Sequence, residues 1–125
     1  MKDIVSAVNA PKAIGPYSQA VRAEGLIFVS GQLGLDPDTG QLVEGSAIRQ
    51  TGQALENLKA ILEAGGSSLH KVLKTTLYLK SMRDFDEVNE VYETYFHAAP
   101  PARATVEVSR LPKDACVEID AVALA

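Results

Sequence analysis

Tryptophan is absent from the 125 residues, and cysteine occurs once. One thiol cannot close an internal disulfide, so the fold must rest on packing, and the chain suits a reducing compartment. No apolar run approaches membrane-spanning length, and the first residues lack the apolar stretch of a signal peptide. A cytoplasmic location with no membrane partner is expected. A basic tract is missing as well: 12 Lys and Arg are interspersed among 16 Asp and Glu, for a net charge of −4. Nucleic acid is therefore disfavoured as a partner. The two histidines, His70 and His97, are isolated from each other and from Cys116, so no metal-ligand spacing exists and no metal is expected. Linkers, repeats and low-complexity segments are also absent, so residues 1–125 read as one domain with its own core.

What is present organises itself around Pro100–Val108. Two prolines end whatever precedes them. Then Ala104, Val106 and Val108 alternate with Arg103, Thr105 and Glu107, the two-residue period of a strand. Arg103 is a permanent cation just after a rigid turn, and its planar fork suits a carboxylate or phosphate. A further strand, Val117 to Leu124, carries Glu118. A short antiparallel connection is expected to set the anion clamp and the carboxylate on neighbouring strands.

In chain order, Ile4–Val8 reads as a short strand. Gly15-Pro16 is a turn, followed by a strand from Tyr17 to Arg22. Ala23-Glu24-Gly25 then makes a hairpin into a strand, Leu26–Ser30, that ends at Ser30-Gly31. Gly31 would allow close approach of a ligand to the backbone. Asp36–Gly40 is a surface turn. Ser46 to Ala64 is a helix with Ile48, Thr51, Leu55, Leu58 and Leu62 on one face, stopped by Gly65-Gly66. Val72–Leu79 is a strand. A second helix, capped from Ser81, buries Phe85, Val88, Tyr92 and Phe96. The order β-β-β-α-β-α-β-β predicts an α+β fold, one mixed sheet with both helices on one face. Leu26–Val29 and Val117–Leu124 are apolar on both sides, and two helices cover only one. Other copies of the chain are the simplest cover for the other face.

Taken singly, the candidate residues do not establish a site. Arg103 reads first as a partner in a cross-strand or interface ion pair. Glu118 reads as solvated, Tyr17 as a packing tyrosine and Asn89 as exposed. Ser30 lacks the glycine pattern of a nucleophile elbow. Gly31-Gln32-Leu33-Gly34 matches the glycine pair of an RNA-clamping loop without its basic flanks.

Together the segments point further. Gly15-Pro16-Tyr17-Ser18-Gln19, Ser30-Gly31-Gln32, Asn57-Leu58-Lys59-Ala60, Pro101-Ala102-Arg103, Val106-Glu107-Val108, Arg110-Leu111-Pro112 and Val117-Glu118-Ile119 resemble, in order and spacing, the RidA (YjgF) family of enamine/imine deaminases. The resemblance implies a chorismate-mutase-like fold and a homotrimer with a site in each intersubunit cleft. It implies hydrolysis of 2-imino acids, such as 2-iminobutanoate and 2-iminopropanoate, to 2-keto acids and ammonia, with no cofactor. Arg103 would clamp the substrate carboxylate, and Glu118 would hold and polarise the water. Tyr17, Ser30, Gly31, Asn89 and Thr105 would line the pocket. Thr105 stands where active members often carry cysteine, which bears on rate and substrate preference. The rival readings are a ribonuclease or translation inhibitor, and a non-catalytic small-carboxylate-binding or chaperone-like trimer.

Overall fold

In the computed structural model, which describes residues 1–125, the strands are β1 (Asp3–Val5), β2 (Ala20–Ala23), β3 (Leu26–Leu33), β4 (Val72–Leu79), β5 (Ala102–Glu107) and β6 (Val117–Leu124). The helices are α1 (Ala47–Ala64) and α2 (Phe85–Tyr95). The order matches the sequence reading, and so does the single mixed sheet with both helices on one face. The helix boundaries follow from local chemistry. Ser46 accepts a hydrogen bond from the Ile48 N–H and caps α1. At the other end it is Gly66, at φ +82°, that takes the left-handed turn; Gly65 does not. Ser81 caps a 3₁₀ turn, Met82–Asp84, which leads into α2. Glu24 (φ 52°) and Gly25 (φ 75°) form the two-residue turn between β2 and β3, matching the twist of an antiparallel pair.

The sheet order is β1-β2-β3-β6-β4-β5. β6 enters between β3 and β4 and pairs antiparallel with both, while β5 lies parallel to β4 at the edge. Arg103 and Glu118 are therefore not on neighbouring strands, contrary to expectation. The last hairpin is never made, because the central slot offers β6 two partners and buries Val117, Ile119, Ala121 and Ala123 under α1. Val117 and Ile119 each stabilise the fold by roughly 1.5–3 kcal/mol when fully buried, and the alanines by less.

Three further boundaries differ. β1 is only Asp3–Val5, and β2 begins at Ala20 rather than Tyr17. The backbone between them bonds to side chains instead of a ladder. Gln19, buried, accepts from the Ala7 N–H and donates to the carbonyls of Ala7 (3.2 Å), Ala10 (3.4 Å) and Pro11 (2.7 Å). β3 does not stop at Ser30-Gly31 but continues to Leu33 through a bulge between Val29 and Gln32. Ile48 is exposed; the buried face of α1 instead takes in Ala47, Ala54 and Ile61, with the polar Gln50 and Asn57.

The helix-free face of the sheet carries Phe28 (47% exposed), Val106 (41%) and Leu124 (47%), with Glu118, Asp120 and Tyr78 on the same side. No helix is long and apolar enough to cross a membrane.

Candidate active site

All the residues singled out from the sequence except Thr105 fall into two depressions. The first, of about 570 Å³, is lined by Tyr17, Ser30, Gly31 and Glu118, with Pro11–Ile14 and Lys113 around them. The second, of about 310 Å³, is lined by Asn89, Tyr92, Phe96, Pro100, Pro101 and Arg103. Glu118 pairs with Tyr78 and Arg103 with Thr75. These β4 positions are three apart, so by strand alternation Glu118 points to the open face and Arg103 to the helix face. One chain holds the two halves on opposite sides of its sheet. Thr105 sits half-buried opposite Leu77 and lines neither depression.

In the first depression the carboxylate of Glu118 lies directly over Gly31. A Cβ built on Gly31 would fall within 2.7 Å of the Glu118 carboxyl carbon, closer than real contacts allow. The glycine thus makes room for Glu118 itself, not only for a ligand. Burial, and then the nearby charge of Asp120, push the Glu118 carboxyl above its ordinary range. Asp120 is held by the Tyr78 hydroxyl at 2.9 Å. Ser30 is committed to the frame: its hydroxyl donates to the Ser18 carbonyl at 2.6 Å. Tyr17 is 54% exposed, and its hydroxyl accepts from the Ile14 N–H at 3.3 Å. Gln19, which sequence reasoning gave no role, pins the segment leading into this wall. Its signal was a polar side chain next to the small buried Ala20. Asn57 does the same opposite, donating to the carbonyls of Leu33 (3.1 Å) and Leu35 (2.9 Å).

In the second depression the Arg103 guanidinium lies 4.8 Å from the Tyr92 ring centroid and 5.7 Å from that of Phe85. The Tyr92 ring is fixed by a 2.8 Å hydrogen bond between its hydroxyl and Thr75. The ion pairs of the chain are Arg22–Asp3 and Arg110–Asp114, so the structural ion pair envisaged for Arg103 does not form within the chain. Beside it, Asn89 Oδ1 is buried without a hydrogen-bond donor, at a cost of roughly 1–3 kcal/mol for such an acceptor. The arrangement is an oriented cation and an unsatisfied acceptor in one depression, and a desolvated carboxylate in the other. No cluster of three or more His, Cys, Asp or Glu side chains has metal-binding geometry.

The Gly31 contact gives a first prediction. Gly31→Ala should displace Glu118 and lower kcat for any reaction that uses it by about tenfold or more, with a smaller change in KM. Steady-state kinetics beside a thermal melt checks this; an unchanged kcat in the folded variant would show that Glu118 does not need its perch.

A family model described as endoribonuclease L-PSP matches residues 7–125. A RutC family protein of Pyrococcus horikoshii is 56% identical over 123 residues, covering 98% of this chain and 98% of its own length. The 2-iminobutanoate/2-iminopropanoate deaminase of Mus musculus is 49% identical over 124 residues, covering 99% of this chain and 92% of its own. A crystal structure from Thermotoga maritima superposes with a TM-score of 0.97 at 53% identity, over 100% of this chain and 98% of that one.

Proposed function

The chain belongs to the RidA/YjgF family, whose model carries the description endoribonuclease L-PSP, and on that premise we propose that it hydrolyses 2-imino acids to 2-keto acids and ammonia. The observation that carries the reading is the pair of complementary half-sites: an unpaired arginine beside an unsatisfied acceptor, and a desolvated carboxylate over Gly31. The Arg103 fork binds the substrate carboxylate through two parallel hydrogen bonds. Asn89 Oδ1 accepts from the nitrogen of the imine. Glu118 orients a water and takes its proton as the oxygen bonds to C2, giving a 2-amino-2-hydroxy acid. The same carboxyl returns the proton to nitrogen and takes the hydroxyl proton as the carbon–nitrogen bond breaks, and ammonia leaves with the keto acid, carrying that proton away as ammonium. Water is the only co-reactant. A protonated imine is already electrophilic, so positioning and proton transfer suffice without a cofactor.

The two halves face opposite sides of one sheet, so in this reading a complete site forms where Arg103 of one copy meets Glu118 of another. The exposed apolar face around Phe28, Val106 and Leu124 supports that assembly. A closed cyclic arrangement of three copies uses every half-site. Sedimentation equilibrium at micromolar concentration is expected to give a trimer; a stable monomer would contradict the shared site.

The family description also names a nuclease. RNA affinity rests mainly on cationic contacts to phosphates, and the net charge here is −4. The deaminase reading is tested by keto-acid and ammonia release from freshly generated 2-iminobutanoate and 2-iminopropanoate. Release no faster than in buffer would reject it.

A further inference from the structure

Two lysines line the Glu118 depression, and the proposed hydrolysis uses neither. Lys12 and Lys113 both border it. Neither belongs to the ion pairs of the chain, so within one chain both cations stand free, even of Glu118. Lys113 is also held in an unusual way. It lies at φ 58° and ψ 21° in the turn Pro112–Asp114, and Asp114 follows at φ 55°. Few side-chain-bearing residues adopt this left-handed region; Glu24 does so in the β2–β3 turn, and Lys113 does so here. The turn separates two opposite charges. Asp114 pairs with Arg110 at 3.3 Å, which leaves Lys113 without its neighbour's carboxylate.

With the 2-carboxylate assigned to Arg103, the free cations lack a partner in the substrate. Resting on the deaminase reading above, we infer that the site takes 2-imino acids with an acidic side chain, whose distal carboxylate is held by Lys113 and Lys12. Lysine suits this role. Its ammonium is a point charge on a flexible stem, able to meet a carboxylate at the end of chains of different length. The cations are also needed for such a substrate. A dianion approaching a protein of net charge −4, and a depression containing Glu118, is repelled unless local positive charge offsets the field.

The test is calorimetric and uses keto acids, so it does not depend on turnover. The intact protein is titrated at one ionic strength with 2-oxoglutarate and with 2-oxohexanoate, which has a similar chain without the distal charge. Wild type is expected to bind 2-oxoglutarate about tenfold more tightly. Lys12→Met/Lys113→Met should erase that gap. Equal affinities in wild type, no binding of either acid, or a gap that survives in the double variant would overturn the assignment. Imine turnover decides the other reading separately. Hydrolysis of 2-iminobutanoate without a 2-oxoglutarate preference sinks only the lysine assignment. Lysine-dependent 2-oxoglutarate binding without hydrolysis of any imine sinks the deaminase and leaves the lysine site standing.

Discussion

Arg103→Ala is expected to lower kcat/KM for 2-iminobutanoate by about 10²-fold to 10⁴-fold, the scale of losing two charge-assisted hydrogen bonds. The fold should survive. Arg103 is exposed on the edge strand β5 and in no intrachain ion pair, so the loss to stability is its contact with Tyr92, worth about 0.5–1 kcal/mol at an exposed site. Arg103→Lys should recover only a small part of the activity, because a point charge does not reproduce the planar fork. Thermal melts and kinetics on the three proteins settle the matter. Full activity in Arg103→Lys would remove the bidentate contact. An unfolded Arg103→Ala would mean that the residue is structural.

Glu118→Gln is expected to separate binding from turnover. Gln keeps the shape and one acceptor but cannot take a proton from water. Turnover should fall by about 10²-fold to 10⁴-fold, the usual contribution of a positioned general base. A keto acid should bind as well as to wild type or slightly better, since one negative charge near the ligand is gone. The pH dependence follows from the direction of the shift. Burial and Asp120 raise the Glu118 pKa, and the base works ionised, so wild-type kcat/KM should rise with pH through a midpoint above the ordinary glutamate value. Asp120→Asn removes the second cause and should move that midpoint to lower pH. Linkage gives a stability counterpart. A raised folded-state pKa means that ionised Glu118 costs stability above that pKa and nothing below the unfolded value. Glu118→Gln should therefore melt at or above the wild-type temperature at neutral pH. Loss of keto-acid binding together with turnover would make Glu118 part of the frame of the cleft instead.

These expectations join residues that the sequence brings to notice singly. The element order and the ends of α1 were legible because their causes are local: Ser46 before the periodic run, and a glycine pair after it. Strand order was not. That β6 lies between β3 and β4 depends on pairing across most of the chain, and a hairpin between β5 and β6 is the natural local guess. The error matters at the site, because it set Arg103 beside Glu118 when the sheet separates them. The lead-in misled for a different reason. Gln19 and Tyr17 bond to nearby backbone, which leaves residues 6–19 without a ladder and shortens both flanking strands. Gly31 was noticed, but its cause, a glutamate 87 positions later pressed onto it, has no local sign. The left-handed backbone of Lys113 has no sign in the sequence and is visible only in three dimensions.

The central claim is that Arg103 and Glu118 serve one reaction from two different copies. It is tested most directly by mixing two inactive variants. Arg103→Ala and Glu118→Gln are unfolded together at equal concentration, refolded, and assayed for 2-oxobutanoate release. In a randomly mixed cyclic trimer about one site in four receives an intact arginine from one chain and an intact glutamate from its neighbour. The mixture should therefore regain about a quarter of wild-type activity, while each variant refolded alone stays inactive. A mixture no more active than its components, shown to contain mixed oligomers, would contradict the shared site.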